Sequence, residues 1–330
     1  MRICIVGHYS GRMDNRGDLG VKQVGLEIAT RLGERHETLE VDIRKPLSWK
    51  PVRAFQPQII HFVLGPSMFG LLAARVLTLF CGSAKSVVSA PNPSLSLRRM
   101  GAFIRPDLVL IQSHQSETVF RSMGCATVFL PNGVDVRRFL PAPTWRKMEL
   151  KAKYGISGDR FVVLHVGPVI RQRNVQLLAQ LEQEGQQTVL VGRTAPLDRD
   201  LCRLLRDEGC IVLTERLEHI EELYALSDCY VFPTPPANRG ASVEMPLSVM
   251  EAMSCNLPVV TTRFGALPRG FDGGNGLFFA DGDRDLARAV HKAERRRLTG
   301  TRAKVLPYAW DRVVARIEEI YEEMAQQGRA

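Results

Sequence analysis

Residues Ala241–Thr262 read ASVEMPLSVMEAMSCNLPVVTT, and the order of residue types in this stretch decides the fold. A loop carrying Glu244 meets Pro246, a residue suited to the first turn of a helix, where its missing N–H is not needed. A short helix carrying Glu251 follows, and Asn256 and Pro258 end it before the apolar run of a buried strand. Helices feeding buried strands are the units of a parallel sheet. The N–H groups at the helix start, near Leu247 and Ser248, have no partners within the helix and offer donors to phosphate oxygens. Glu251, about one turn on, offers a carboxylate to the hydroxyls of a ribose, as acidic residues do in dinucleotide folds. The ordinary alternative makes Glu244 a surface cap and Glu251 a solvated helix residue.

The same alternation recurs along the whole chain. Before this stretch, β-branched runs at Phe161–Val166, Thr188–Val191, Ile211–Leu213 and Cys229–Pro233 lead to the strand Pro258–Thr262, with helical patterns between them. An earlier series comprises Arg2–Val6, Ile59–Val63, Ser86–Ser89, Leu108–Gln112 and Thr127–Leu130. Between the two series the pattern lapses into LPAPTWRKMELKAKYGISG, residues 140–158, with two prolines followed by a charged helix. The prediction is an α/β chain of two doubly wound domains, residues 1–145 and 146–307, followed by a helical segment, 308–330. In that segment Val313, Ile317, Ile320 and Met324 share one helix face. Ligands of such sheets sit beyond the carboxyl ends of the strands, so the cleft between the domains is the expected site.

Composition excludes several classes. With 330 residues, 45% hydrophobic and 24% charged, the chain can bury cores and does not resemble a disordered one. The formal charge is +9, and residues 1–150 carry 20 Lys+Arg against 11 Asp+Glu while residues 151–330 carry 24 against 24. The surplus therefore lies in the first half, which suggests an anionic partner there. No helix-turn-helix, RNP-like or zinc spacing accompanies it, so nucleic acid is not expected. Seven cysteines without a CxxC pair, mostly among apolar neighbours, predict buried thiols of a reducing compartment. MRICIVGHYS reads as a strand rather than a signal peptide, and Met68–Gly82 is too short to span a membrane. It is expected to be a buried helix, the other reading being a helix lying on a membrane. A cytoplasmic protein, acting at the inner face of the membrane if its acceptor is lipid-linked, is the expectation.

Taken together, these segments resemble the retaining glycosyltransferases of family four, the group 1 glycosyl transferases, which have the GT-B fold and use nucleotide-activated sugars. Ala241–Thr262 looks like the family's donor-binding signature. PNGVD at Pro131–Asp135, with Phe139 and Pro141, is similar to the end of its first domain. Ile220–Thr234, IEELYALSDCYVFPT, resembles the helix and strand before the donor loop. Asn275-Gly276-Leu277 with DGDRDLARAV, and then YAWDRV, resemble its later loop and final helix. The resemblance implies two Rossmann-like domains, an acceptor domain and a nucleotide-sugar donor domain, with the last helix packing back on the first.

It also implies roles. Glu251 falls on the ribose position and Glu244 on that of a carboxylate near the sugar hydroxyls. Leu217 matches the residue whose backbone touches the base. In LHVGPVIRQRNVQLL, Leu164–Leu178, the turn at Gly167 precedes Arg171 and Arg173, whose guanidinium groups suit a diphosphate. Gly20 matches one glycine of a pair that approaches phosphate or sugar closely. The chain departs from the family pattern in five places. Pro168 replaces an Arg, for which Arg171 is the expected substitute, while Arg173 stands where the family has Lys. Six residues rather than seven separate Glu244 from Glu251. Pro91 and Asn92 stand where a histidine is common, and Leu19-Gly20 stands for Gly-Gly. His61, at the end of an apolar strand, is expected to be a core histidine.

The expected function is retaining transfer of a sugar from a nucleotide-diphosphate sugar to an acceptor, with no metal and no further cofactor. Glu244, Arg171 and Arg173 are the expected catalytic residues, and Glu251, Gly20, Gly167, Leu217, Leu247 and Ser248 the substrate-binding ones. Arg12, Arg16, Lys22, Arg98, Arg99 and Arg105 make the first domain basic, which fits a lipid-linked or phosphorylated acceptor and peripheral membrane contact. The alternatives are a non-catalytic nucleotide-sugar-binding GT-B scaffold and a GT-B nucleotide-sugar epimerase.

Overall fold

The computed structural model describes residues 1–7, 19–42, 49–63, 68–82, 84–90, 104–183, 185–192, 197–215, 217–236, 244–295 and 299–327. Strands β1 (Arg2–Gly7), β2 (Glu37–Asp42), β3 (Ile59–Phe62), β4 (Lys85–Ala90), β5 (Leu108–Ile111) and β6 (Thr127–Phe129) form a parallel sheet in the order β2-β1-β3-β4-β5-β6. Strands β7 (Val162–Val166), β8 (Gln187–Val191), β9 (Ile211–Leu213), β10 (Cys229–Phe232), β11 (Val259–Thr261) and β12 (Leu277–Phe279) form a second, ordered β12-β11-β10-β7-β8-β9. Helices of the first unit are α1 (Leu19–Gly33), α2 (Trp49–Phe55), α3 (Met68–Phe80) and α4 (His114–Ser122). Then come α5 (Thr144–Lys153), α6 (Leu178–Gln183), α7 (Arg199–Asp207), α8 (Glu221–Leu226), α9 (Leu247–Ser254), α10 (Leu267–Gly270), α11 (Asp283–Arg295), α12 (Thr301–Val305) and α13 (Trp310–Gln327).

The central strands are fully buried runs, as parallel strands covered on both faces must be. Each sheet carries a core on each face. Val6, Phe62, Leu71, Leu77, Val88 and Phe120 pack on one side of the first sheet, and Ile3, Ile5, Ile28 and Ile59 on the other. The second of these cores is completed by Trp310, Val313, Val314, Ile317, Ile320 and Tyr321 of α13. The last helix thus lies on the first sheet, although it follows the second. Burying a side chain of this kind is worth about 1.5–3 kcal/mol. Tyr321 adds a polar anchor, with its Oη 2.6 Å from His61 Nδ1, while His61 Nε2 is 2.8 Å from Ser89 Oγ. Burial holds the His61 imidazole down to about 3, so it is a neutral core histidine.

Three details depart from expectation. The edge strands β2 and β12 were not foreseen; ETLEVD in β2 is largely polar and half exposed, so no apolar run marks it. The boundary at 145/146 falls inside α5, which begins at Thr144 and packs on α8 through a core containing Leu150. α3 is buried on one side only, with Leu72, Val76, Leu79 and Phe80 exposed on the other.

Candidate functional site

The C-terminal ends of β7 and β10 gather polar groups that the fold leaves unsatisfied. His165 Nδ1 is 3.0 Å from the Val231 carbonyl, while its buried Nε2 has no hydrogen-bond partner among the described residues. Burial first, and then the Arg173 charge, hold this imidazole down to about 4. Thr234 Oγ1, just past β10, is likewise buried and without a partner among the described residues. A Cβ at Gly167 would stand 3.3 Å from Arg173 Nη1 and 3.4 Å from His165 Nε2, so glycine keeps space between these groups. Arg173 is largely desolvated, which lowers its pKa, and it makes no ion pair with a described residue. A half-buried guanidinium without a carboxylate partner among the described residues is a site suited to an anion.

Arg171 shares the 3-10 turn Arg171–Arg173 but not this environment. At three residues per turn, positions two apart point to different sides. Its side chain is exposed, and its Nε lies 3.6 Å from Asp198, the residue that caps α7. The two arginines expected to face one diphosphate thus have different surroundings in this structure: Arg173 lines the strand ends, and Arg171 is turned to Asp198.

From the strand ends, a chain of aromatic contacts leads to Glu251. Tyr230 Oη hydrogen-bonds Ser248 Oγ at 2.7 Å, and its ring stacks on Tyr224 with centroids 6.0 Å apart. Tyr224 Oη donates to Glu251 Oε2 at 2.6 Å. Burial raises the Glu251 pKa, against the hydrogen bond from Tyr224 and the charge of Arg138. Glu251 lines an interdomain cavity of about 230 Å³. Leu217, Leu247 and Arg138 also line it, together with Gln23, Glu27 and Trp310 from the first unit and its returning helix. Leu217, Leu247 and Glu251 are thus brought together, with Ser248 next to them at the start of α9. Pro246 provides no side-chain cap there, leaving that helix start to its backbone donors.

Glu244 faces elsewhere. Its carboxylate is buried against the first unit, accepting from Ser116 Oγ at 2.7 Å and from Ser113 Oγ. Burial raises its pKa, partly offset by the two serines and Arg269. Around it, Asn132 Nδ2 donates to the Met245 carbonyl at 2.9 Å, Met245 N donates to Gln112 Oε1 at 3.2 Å, and Arg269 pairs with Glu117 at 2.7 Å. The expected carboxylate beside sugar hydroxyls is here a carboxylate joining the two units. Gly265, at φ +52°, permits the approach: a Cβ there would meet the Glu244 carbonyl oxygen at 2.3 Å.

Gly20 lies in the first turn of α1, partly buried. Arg12, Arg16, Pro91, Asn92, Arg98 and Arg99 lie outside the described residues. Among the described residues, no group of three or more His, Cys, Asp or Glu could hold a metal ion. His165, Thr234, Tyr224, Arg138 and the Gln112–Asn132 pair were not marked as site residues by sequence, although His165, Tyr224, Thr234 and Asn132 lie in the segments that carry the family resemblance.

Residues 160–295 match the family model "Glycosyl transferases group 1". The chain is 28% identical over 220 residues to the GDP-mannose-dependent alpha-(1-6)-phosphatidylinositol monomannoside mannosyltransferase of Mycolicibacterium smegmatis, covering 62% of this chain. It spans 56% of that relative's length. It is also 25% identical over 322 residues to the N-acetyl-alpha-D-glucosaminyl L-malate synthase of Bacillus anthracis, covering 91% of this chain and 79% of the relative. Among solved structures, Anabaena HepE in complex with UDP superposes with a TM-score of 0.76 at 17% identity, over 98% of this chain and all (100%) of that one. The fold is GT-B, and the resemblance to group 1 glycosyltransferases holds.

Proposed function

We propose that this chain is a retaining, metal-independent glycosyltransferase that moves a hexose-like sugar from a nucleotide-diphosphate donor to an acceptor. The observation that carries the reading is the desolvated Arg173 guanidinium, unpaired among the described residues, at the strand ends beside Gly167 and His165. In this reading the diphosphate lies against Arg173 and the start of α9 at Leu247 and Ser248. Glu251 holds the ribose, and the Leu217 segment flanks the base. Arg173 stabilises charge as the nucleotide leaves, and the departing phosphate takes the proton of the incoming hydroxyl on the same face. HepE, a neighbour in fold, binds UDP, which supports a nucleotide in the corresponding cleft.

The acceptor is proposed to be lipid-linked or phosphorylated and met by the basic first unit; the mycobacterial relative's name gives a phosphatidylinositol mannoside as its acceptor. The engagement of Glu244 with Ser113 and Ser116 favours a second reading, a nucleotide-sugar-binding scaffold without transfer. A thermal-shift panel of UDP, GDP, ADP and their sugars tests donor binding: a ligand at about 100 times its Kd adds about 2.7 kcal/mol. No stabilisation by any of them refutes both readings. Donor hydrolysis or transfer, lost in Glu251→Ala and Arg173→Ala, separates enzyme from scaffold.

A further inference from the structure

The surplus charge has a narrower address than the first half of the chain. Residues 43–106 carry nine Lys+Arg and no Asp or Glu, so the whole formal charge of +9 resides in this one segment. It contains α2, β3, α3 and β4. Within it, α3 is apolar on two opposite sides. Leu71, Ala74 and Leu77 face the core of the first sheet. On the other side Leu72, Val76, Leu79 and Phe80 are 48%, 39%, 57% and 45% exposed, at the spacing i, i+4, i+7, i+8 of one helical face. Four of the ten large hydrophobic residues exposed among the described residues therefore sit on a single helix. α2 packs beside α3 and exposes Lys50 and Arg53.

The geometry points to the outer face of α3 as the surface by which this protein lies on an anionic lipid bilayer. An apolar stripe about 12 Å long, from Leu72 to Phe80, with cations beside it, is what an interfacial helix presents. The side chains enter the acyl boundary while Lys50 and Arg53 meet lipid phosphates. The sequence through α2 and α3 carries no acid to repel an anionic surface, whereas a second copy docked by the same face would set Lys50 and Arg53 against their own like charges. α3 follows β3, so the helix begins on the side of the sheet where the strands have their carboxyl ends, the side on which ligands of doubly wound domains bind. This deepens the proposed contact with a membrane-bound acceptor by naming the face that makes it.

The test reads binding, not transfer. Full-length protein is floated with phosphatidylglycerol-containing vesicles and with pure phosphatidylcholine vesicles, at low and high salt. Wild type should bind the anionic vesicles and be released by salt. Val76→Glu/Leu79→Glu should weaken that binding about tenfold or more, and Lys50→Gln/Arg53→Gln, on exposed side chains that the fold does not need, should weaken it measurably. A thermal-shift response to UDP, measured on each variant, reports folding and the donor site separately, so loss of that reading and loss of this one are distinguishable. No binding to anionic vesicles, or equal binding by both double variants and wild type, overturns the proposal. So does a change from dimer to monomer in Val76→Glu/Leu79→Glu by sedimentation velocity, which would assign the face to a second copy.

Discussion

Acidification should loosen the first sheet through His61. The ring is wholly buried between Ser89 and Tyr321, and burial holds its pKa down to about 3, against the 6.5 of a free imidazole. For a base whose folded pKa lies below the unfolded one, the folded state binds fewer protons. Stability is then fully present above about pH 6.5 and is lost as pH falls towards about 3. Each pH unit in that window removes about 1.4 kcal/mol, so two units remove roughly 3 kcal/mol, a sizeable share of a typical domain's stability. Glu244 and Glu251, both raised by burial, act in the opposite sense, contributing stability at low pH that is lost as pH rises through their folded values. His165, held down to about 4, acts in the same sense as His61. The raw slope is therefore a sum, and the comparison must be with His61→Gln, which cannot take up the proton. Urea unfolding at about pH 7 and about pH 4.5, followed by a probe of the first sheet, should show the variant less stable than wild type at the higher pH and closer to it at the lower. If wild type and variant lose stability in parallel across the window, the protonation of His61 is not the cause.

Arg173→Met should leave the melting temperature of the ligand-free protein unchanged or raise it, because it removes a desolvated cation with no described ion-pair partner, while reducing the affinity for a nucleotide diphosphate by about 10–100-fold. Calorimetric titration with UDP beside a thermal melt checks both halves, and a fall of several degrees in the free protein would point to a structural role. Ser116→Ala should cost about 1–3 kcal/mol by stripping a donor from the buried Glu244, and more at neutral than at acid pH, as read from paired denaturation curves. Gly133→Ala, whose Cβ would lie 2.3 Å from the Trp310 ring, should destabilise by about 1–3 kcal/mol in thermal denaturation.

Eight of the ten strands read from sequence are interior strands that leave apolar runs, and the edge strands β6 and β9 were read because TVF and IVL are short β-branched runs despite partial exposure. β2 and β12 lie at sheet edges: ETLEVD mixes charges through its length, and LFF, three residues after a glycine turn, is too short to mark itself. The candidate site was legible where it is local, in the helix start at Leu247 and in Glu251 one turn on, both of which line the interdomain cavity. It was not legible where it depends on the other unit. Ser113 and Glu244 are 131 positions apart, and no spacing within either segment announces that they meet. Arg171 and Arg173 show the complementary limit, since two identical side chains in one short turn acquire different neighbours from the turn's pitch alone.

The two crossings between the units run side by side. Val134 N donates to the Tyr308 carbonyl at 3.0 Å and Trp310 N to the Val134 carbonyl at 3.2 Å, so the outgoing and returning chains are laced together at one point. Two free linkers would let the units swing and twist independently, whereas a bonded pair must bend at a common place. Any opening of the cleft would thus pivot at the Val134–Ala309 bridge, with Glu244 and its serines among the contacts that must part.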